Sequence, residues 1–556
     1  MEYPRHREAE AEKYTKYRWW LGVTFSDLLD KAADLYPKKE ALIDDRVRLT
    51  YGELRERVDR LAIGLIHLGL GKEDTVLLQL PNWAEFVFSY FALQKIGCIP
   101  VLLISGYRKL EVSHLGRLTE AKAWIVPDLY RKIDYLSFIG EVKKENPQLE
   151  YLISVRAQRQ DGHFTTSLER LMGREWSDED RRRLVARRPD PNDVAHILPS
   201  GGTTGLPKGI PRTHNDYICN AEYVARIGEM NSHDIWLVAT PVGHNLGLLI
   251  GITGCIFMAA KLVLLDSTRP EDICSAIQRE KVSFMPIVPS LLKRILDLER
   301  LGEYHLSSFK KISAGGEASS PELVRKAYER IGCAFINEFG MSEGLLCRTR
   351  LDDDIDTICT TVGKPCCPYD QVKILDDGGR DLPVNRDGEL AAKGPGIFAG
   401  YLKNPEENRK SFTKDGFFRT GDLARIDDSG NILITGRIKD IIIRGGENIS
   451  PAQVEDLLIS CPGVADAAVI GIPDKDLGEK VCAYIRPISG AKLDSEEIKR
   501  FMENQGASKL IIPERFEFID SIPMTQAGKH DKKALREDIK CKIEGLENSG
   551  MRYLNS

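Results

Sequence analysis

Apolar positions along the chain recur with two different periods. Helical spacing runs through Phe25–Leu35 and Tyr51–Leu68, and short β-rich runs follow each of them, Ala41-Leu42-Ile43 and Thr75-Val76-Leu77-Leu78-Gln79. This alternation predicts parallel sheets covered by helices, an α/β fold. One apolar stretch, Leu246 to Ala260, continues past Lys261 into Leu262-Val263-Leu264-Leu265 and approaches the length of a membrane span. Its three internal glycines and the lysine instead predict a buried helix followed by a strand. Between Gln158 and Asp193 the chain is rich in Arg, Asp and Glu, the pattern of a solvated helix and linker. A boundary falls near Arg437-Ile438-Lys439-Asp440. Beyond it, helices at Pro451–Ile459 and Ser495–Asn504 and strands at Ala467–Ile472 and Val481–Ile485 predict a compact α+β unit. No internal repeat or low-complexity tract interrupts the pattern.

With 556 residues the chain exceeds one ordinary core, so two domains are expected, 1–438 and 439–556. A net charge of −5 supplies no basic field for nucleic acid or an anionic membrane. The charged N-terminal segment through Lys16 is unlike a secretory signal, and a cytoplasmic address is expected. Twelve cysteines are scattered without the paired spacing of a zinc site, and they are expected to be reduced thiols.

The densest chemical signal is Leu198-Pro199-Ser200-Gly201-Gly202-Thr203-Thr204-Gly205-Leu206-Pro207-Lys208-Gly209. Its glycines let backbone N–H groups turn toward an anion, its hydroxyls add donors, and Lys208 adds positive charge, so the segment is suited to cradle a polyphosphate. Leu206-Pro207 separates Gly205 from Lys208, which rules out the common nucleotide loop with its adjoining Gly-Lys-Ser/Thr. A second glycine-rich segment, Gly394-Pro395-Gly396-Ile397-Phe398-Ala399-Gly400, misses the dinucleotide spacing and is expected to be a turn.

The phosphate loop resembles the signature of the adenylate-forming superfamily, which includes acyl-CoA synthetases, peptide-synthetase adenylation domains and luciferases. Further matches cover most of the chain. Asn337-Glu338-Phe339-Gly340-Met341-Ser342-Glu343 resembles the family's adenine and metal segment. The resemblance implies that Phe339 stacks on adenine, Asn337 hydrogen-bonds it, Ser342 meets the phosphate and Glu343 holds Mg²⁺. An aromatic face suits a base, and a carboxylate suits a hard cation. Gly315-Gly316-Glu317 resembles the turn on the other side of the adenine, and Tyr401 and Thr420-Gly421-Asp422 match later segments, with Asp422 implied to bind the ribose hydroxyls. Arg437 is implied to contact ribose or phosphate, and Lys439 takes the hinge position. Near the tail, Ile522-Pro523-Met524-Thr525-Gln526-Ala527-Gly528-Lys529 resembles the closing loop that delivers a catalytic lysine. A lysine suits that step because an anionic carboxylate attacks an anionic α-phosphate. The implied fold is a large N-terminal α/β domain of two sheet layers with a distorted β-barrel, followed by a small mobile C-terminal α+β lid. Gly445 and Gly446 are implied to face an incoming pantetheine once the lid rotates.

Within the superfamily, Ile210–Tyr217 and Gly243-His244-Asn245 are similar to the aryl-acid ligases that activate dihydroxybenzoate or salicylate. Those enzymes usually follow His-Asn with an aromatic residue and later place a small Ser or Cys in the acid pocket, where this chain carries Leu246 and Leu249. The implied acid site comprises His244, Asn245, Leu246, Gly247, Leu249, Gly315 and Glu338. His244 is either the gate of this pocket or a satisfied core histidine, and Glu338 is open between facing the acid and pointing away. An apolar pocket favours an unsubstituted aromatic or alicyclic acid, because an unpaired buried hydroxyl costs roughly 1–3 kcal/mol. ATP with Mg²⁺ is expected to drive acyl-AMP formation with release of pyrophosphate. Transfer to the thiol of coenzyme A is favoured over a phosphopantetheinyl carrier protein. The alternatives are a dihydroxybenzoate or salicylate ligase loading an aryl carrier, a luciferase-like oxidoreductase and a non-catalytic nucleotide binder. The oligomeric state is open, a homodimer included.

Overall fold

The computed structural model describes residues 2–159, 162–200, 206–444, 447–474, 477–491, 493–505, 507, 511–525 and 529–548. The chain folds into two compact units. The first takes the described residues of Met1–Gly202, Leu206–Val372 and Ala392–Phe418, and the second those of Lys373–Ala391 and Arg419–Ser556.

The first unit is built on two sheets. A nine-stranded sheet orders its strands Lys364–Pro365, Leu346–Arg348, Ala334–Gly340, Lys311–Gly315, Phe284–Ile287, Ile235–Val238, Lys261–Leu264, Glu40–Ile43 and Arg48–Thr50. It is parallel from Ala334–Gly340 through Glu40–Ile43 and antiparallel only at its two edges. A seven-stranded sheet runs Gly209–Thr213, Val194–Pro199, Ile99–Leu102, Thr75–Leu78, Ala123–Pro127, Tyr151–Val155 and Thr166–Ser167. Its central strands are buried at every position, as expected of strands covered on both faces. The helices Phe25–Leu35 and Tyr51–Leu68 form where the periodicity places them. Thr24 with Asp27 and Thr50 with Glu53 close reciprocal capping boxes at their starts, and Gly69, at φ +107°, ends the second.

The long apolar stretch resolves into a buried π-helix, Leu246–Thr253, a short helix Gly254–Phe257 and the strand Lys261–Leu264. Its glycines allow this wide helix to lie against the sheet. A β-carbon at Gly247 would stand 2.5 Å from the Pro241 carbonyl oxygen, and one at Gly251 would stand 2.6 Å from a Val238 methyl. Among the described residues no helix is long and apolar enough to cross a membrane. The charged stretch Gln158–Asp193 carries the exposed helix Asp178–Ala186, capped by Ser177.

In the second unit, strands Phe418–Ile426 and Ile432–Arg437 pair in antiparallel and belong to a four-stranded sheet with Gln371–Leu375 and Gly388–Lys393. Residues 373–391 and 419–438, placed with the N-terminal domain by sequence, fall in the second unit. Its other sheet pairs the long strands Val464–Asp474 and Gly478–Pro487. Helices Pro451–Ile459 and Ser495–Asn504 pack on one face around Val469, Val481 and Ile485, and helix Lys532–Asn548 packs on the other around Ile470 and Tyr484.

Candidate active site

In an open parallel sheet, ligands bind beyond the carboxyl ends of the strands. The nine-stranded sheet brings two of the expected segments to that edge. Lys311–Gly315 runs into Gly316-Glu317, and its parallel neighbour Ala334–Gly340 ends on Asn337–Gly340, with Gly315 opposite Glu338. The chain then reverses through Met341-Ser342-Glu343-Gly344, closed by Met341 N–H to the Leu345 carbonyl (3.2 Å), and returns as Leu346–Arg348.

Phe339 is half-buried, so part of its ring is open to a base, and Gly340 is exposed beside it. Asn337 is more committed than expected. Its Nδ2 donates to the carbonyls of Ile358 (3.2 Å) and Thr361 (2.9 Å), so the adenine contact expected of it falls to the side-chain oxygen. Glu317 receives the Ser290 N–H at 3.2 Å.

Glu343 is half-buried and accepts a hydrogen bond from the Tyr401 hydroxyl at 2.8 Å. Burial, reinforced by this carboxylate, pushes the Tyr401 phenol up, so it remains a donor. The Lys208 ammonium lies 4.2 Å from the centre of the same ring and 2.5 Å from a Glu407 carboxylate oxygen. Ser200 and Lys208 close the base of the phosphate loop: Ser200 N–H donates to the Lys208 carbonyl at 2.8 Å, and Lys208 N–H donates to Ser200 Oγ at 2.9 Å. Gly201, Gly202, Thr203, Thr204 and Gly205 lie outside the described residues, as do Gly445 and Gly446. Glu343 offers a single hard carboxylate. That suits Mg²⁺, which is commonly held by one or two carboxylates together with substrate phosphates.

Residues to which the sequence assigns no role of their own hold this turn in place. Arg212, fully buried, pairs with Asp216 (2.7 Å) and donates to the carbonyls of Ser342 (2.7 Å) and Gly396 (2.8 Å). Asn220 donates to the carbonyls of Gly344 (2.9 Å) and Gly396 (3.0 Å), and Phe398 N–H donates to the Glu343 carbonyl (2.8 Å). Buried Asp370 accepts Gly396 N–H at 3.1 Å, and burial pushes its carboxyl up to about 7. The glycine-rich segment 394–400 is thus a turn that braces the Glu343 backbone. The packing is tight: a β-carbon on Gly344, whose φ is +122°, would stand 2.0 Å from the Gly396 oxygen. Gly344→Ala is therefore expected to cost about 3 kcal/mol or more of stability, read from the urea midpoint. A loss below about 1 kcal/mol would mean that this turn relaxes freely.

On the acid side, His244 is half-buried and its Nδ1 accepts Leu246 N–H at 3.3 Å. Asn245 Oδ1 accepts from the buried Tyr217 hydroxyl at 2.8 Å, and its Nδ2 lies 3.5 Å from the Met341 carbonyl, tying this segment to the Ser342-Glu343 turn. Gly247 faces the Pro241 carbonyl and Leu249 has no accessible surface, so both belong to helix packing rather than to a pocket wall. The apolar reading of the pocket loses Leu249 as its support. Glu338 pairs with buried Arg348, which favours a polar wall instead.

In the second unit Asp422 is 3% exposed and accepts from Arg437 Nε at 2.7 Å across the strand pair, a contact that orients Arg437 by the carboxylate expected to bind ribose. Burial raises the Asp422 carboxyl, while Arg437 and then Lys529 pull it down, so the Lys529 charge is felt at this carboxylate. Lys529 closes a turn with Thr525, whose N–H donates to its carbonyl at 2.6 Å. Lys439 is exposed in a short 3-10 turn, Ile438–Asp440.

A half-buried carboxylate braced at the carboxyl end of a parallel sheet, in the same unit as the paired Ser200 and Lys208, is the arrangement expected of an adenylate-forming ligase. The family comparison agrees: an AMP-binding enzyme model matches residues 29–402 and an AMP-binding enzyme C-terminal domain model matches 453–529, and the chain belongs to this family. It is 38% identical to the 2,3-dihydroxybenzoate-AMP ligase of Bacillus subtilis, over 96% of this chain and 97% of that protein. It is 36% identical to a salicylyl-CoA synthase / salicylate adenylyltransferase of a Streptomyces species, over 98% of both. The apo structure of MbtA from Mycobacterium smegmatis superposes with a TM-score of 0.72 at 32% identity, covering 96% of this chain and 98% of that one.

Proposed function

We propose that the chain activates an aromatic carboxylic acid with ATP, forming an acyl-adenylate and pyrophosphate, and then transfers the acyl group to the thiol of coenzyme A. The observation that carries the reading is similarity along nearly the whole chain to enzymes named for ring acids, one of them for a coenzyme A product. The acid's carboxylate attacks the α-phosphate in line, and Lys529 offsets the charge that builds on the bridging oxygens. Phe339 and the turn Gly315-Gly316-Glu317 hold the base, Asp422 the ribose, and Ser200, Lys208 and Ser342 the phosphates. Mg²⁺, when bound at Glu343, neutralises phosphate charge. In this reading His244 donates from its ring to the acid's carboxylate. The lid, turning about Lys439, then removes Lys529 and admits the thiol.

The test is ATP–pyrophosphate exchange over a panel of ring and fatty acids, followed by AMP release with coenzyme A. Coenzyme A is expected to raise AMP release by about tenfold or more over the leak of bound adenylate. A Mycobacterium tuberculosis relative named a salicyl-AMP ligase / salicyl-S-ArCP synthetase, 34% identical over 94% of this chain and 93% of that protein, favours one other acceptor, an aryl carrier protein. Turnover that requires a phosphopantetheinylated carrier and ignores coenzyme A would establish that reading and overturn the one preferred here.

A further inference from the structure

Among the described residues, hydrogen bonds reach one of the two carboxylate oxygens of Glu338. Oε2 accepts from Ser313 Oγ at 2.9 Å and from Arg348 Nε at 2.5 Å, and Arg348 Nη2 lies 2.5 Å from the same oxygen. Arg348 has no accessible surface. Its remaining donors go to Ser313 Oγ (2.9 Å) and to the Val224 carbonyl (3.0 Å), so the carboxylate is gripped from one side and cannot swing away. No hydrogen bond among the described residues reaches Oε1, and it is absent from the fully enclosed polar atoms that lack a partner, so it keeps access to the space in front of it. That space adjoins Gly315, where a β-carbon would stand 3.2 Å from Oε1; glycine leaves the oxygen uncovered. Val224 and Tyr217 lie two turns apart on the helix His214–Ile227, one tied to Arg348 and the other to Asn245. Seven residues at 1.5 Å rise place the two anchors about 10 Å apart along the helix.

We propose that Oε1 of Glu338 is the specificity-determining acceptor of the acid site, reading a hydrogen-bond donor, an amino or hydroxyl group, on the ring of the substrate. This rests on the ring-acid reading above. A buried carboxylate oxygen that has lost water when an unsubstituted ring binds is left unpaired, and sites built around such a group discriminate strongly against the analogue lacking its partner. It also rejects substituents that offer only lone pairs, such as fluoro, nitro or a second carboxylate.

The experiment is ATP–pyrophosphate exchange by the full chain with benzoate, the three methylbenzoates, the three aminobenzoates and the three hydroxybenzoates. At one ring position the amino or hydroxy acid is expected to exceed both its methyl counterpart and benzoate in kcat/KM by about tenfold or more. Glu338→Gln supplies a second reading. Arg348 and Ser313 demand an oxygen, so the amide nitrogen takes the place of Oε1 and points a donor at the N–H of an amino substituent, whereas a hydroxyl can turn its oxygen to accept. The amino-to-methyl ratio is then expected to fall by about tenfold or more. Methyl acids matching or exceeding their donor counterparts at every position would overturn the proposal while leaving the ring-acid reading intact, as would a folded Glu338→Gln that keeps the wild-type amino-to-methyl ratio. Should that variant not fold, the wild-type ratios decide alone. Exchange with none of the ring acids would overturn both readings.

Discussion

Lys529→Ala is expected to slow adenylate formation by about 10²–10³-fold and to leave thiol transfer from preformed acyl-AMP within a few-fold of the parent. Two unit charges about 4 Å apart at an effective dielectric near 20 attract by about 4 kcal/mol. That is the scale of a thousandfold in rate when the attraction is felt in the transition state alone. Thr525 N–H donates to the Lys529 carbonyl at 2.6 Å, and the lysine's charge lowers the Asp422 carboxyl, so within the second unit Lys529 lies near the carboxylate proposed for ribose. Thiol attack expels AMP and builds no comparable charge where Lys529 acts, hence the asymmetry. Single-turnover measurement of each half-reaction decides it, and equal losses in both would refute the division of labour.

Local elements were legible in the sequence where local chemistry dictates them. Phe25–Leu35, Tyr51–Leu68, Pro451–Ile459 and Ser495–Asn504 fold over the residues the periodicity marks, because an apolar stripe at helical spacing, and for the first two a capping box, select the helix without reference to the rest of the chain. What depends on distant partners was not legible. Leu246–Leu249 reads as a pocket lining from its position after His-Asn, yet a wide π-turn and the glycines beside it rotate Leu249 into the packing. The segment 394–400 reads as an isolated turn, and only the sheet edge brings its carbonyls onto Arg212 and Asn220. Glu338 shows in sequence as an unexpected charge before Phe-Gly-Met. Its partner Arg348, ten residues on, is recognisable only once the strands Ala334–Gly340 and Leu346–Arg348 are seen to place the two opposite each other.

Arg212 carries the other large effect. It touches no reacting atom in the mechanism above and acts as a positioning residue. One buried guanidinium spans Asp216, the Ser342 carbonyl and the Gly396 carbonyl, so it locks the backbone on which Ser342 and Glu343 are presented. Arg212→Met would leave Asp216 as a buried charge short of its cation and two carbonyls unpaired, a loss of about 3–5 kcal/mol. Asp216 also takes a hydrogen bond from the Thr213 hydroxyl at 2.6 Å and closes the capping box that starts the helix His214–Ile227, so the damage extends to the helix bearing Tyr217 and Val224. Arg212→Lys separates function from folding. An ammonium keeps the charge for Asp216 but lacks the planar fork that reaches both carbonyls. With the turn free to shift by about 1 Å, pyrophosphate exchange is expected to fall by about 10²-fold. Because the displaced group is Glu343, the carboxylate proposed to hold Mg²⁺, half-maximal Mg²⁺ should rise along with the fall in kcat. A Lys variant with wild-type exchange and wild-type Mg²⁺ dependence would show that Asn220 and the Phe398 N–H suffice to hold the turn. A variant that loses activity with its Mg²⁺ dependence unchanged would show that Arg212 acts through folding alone.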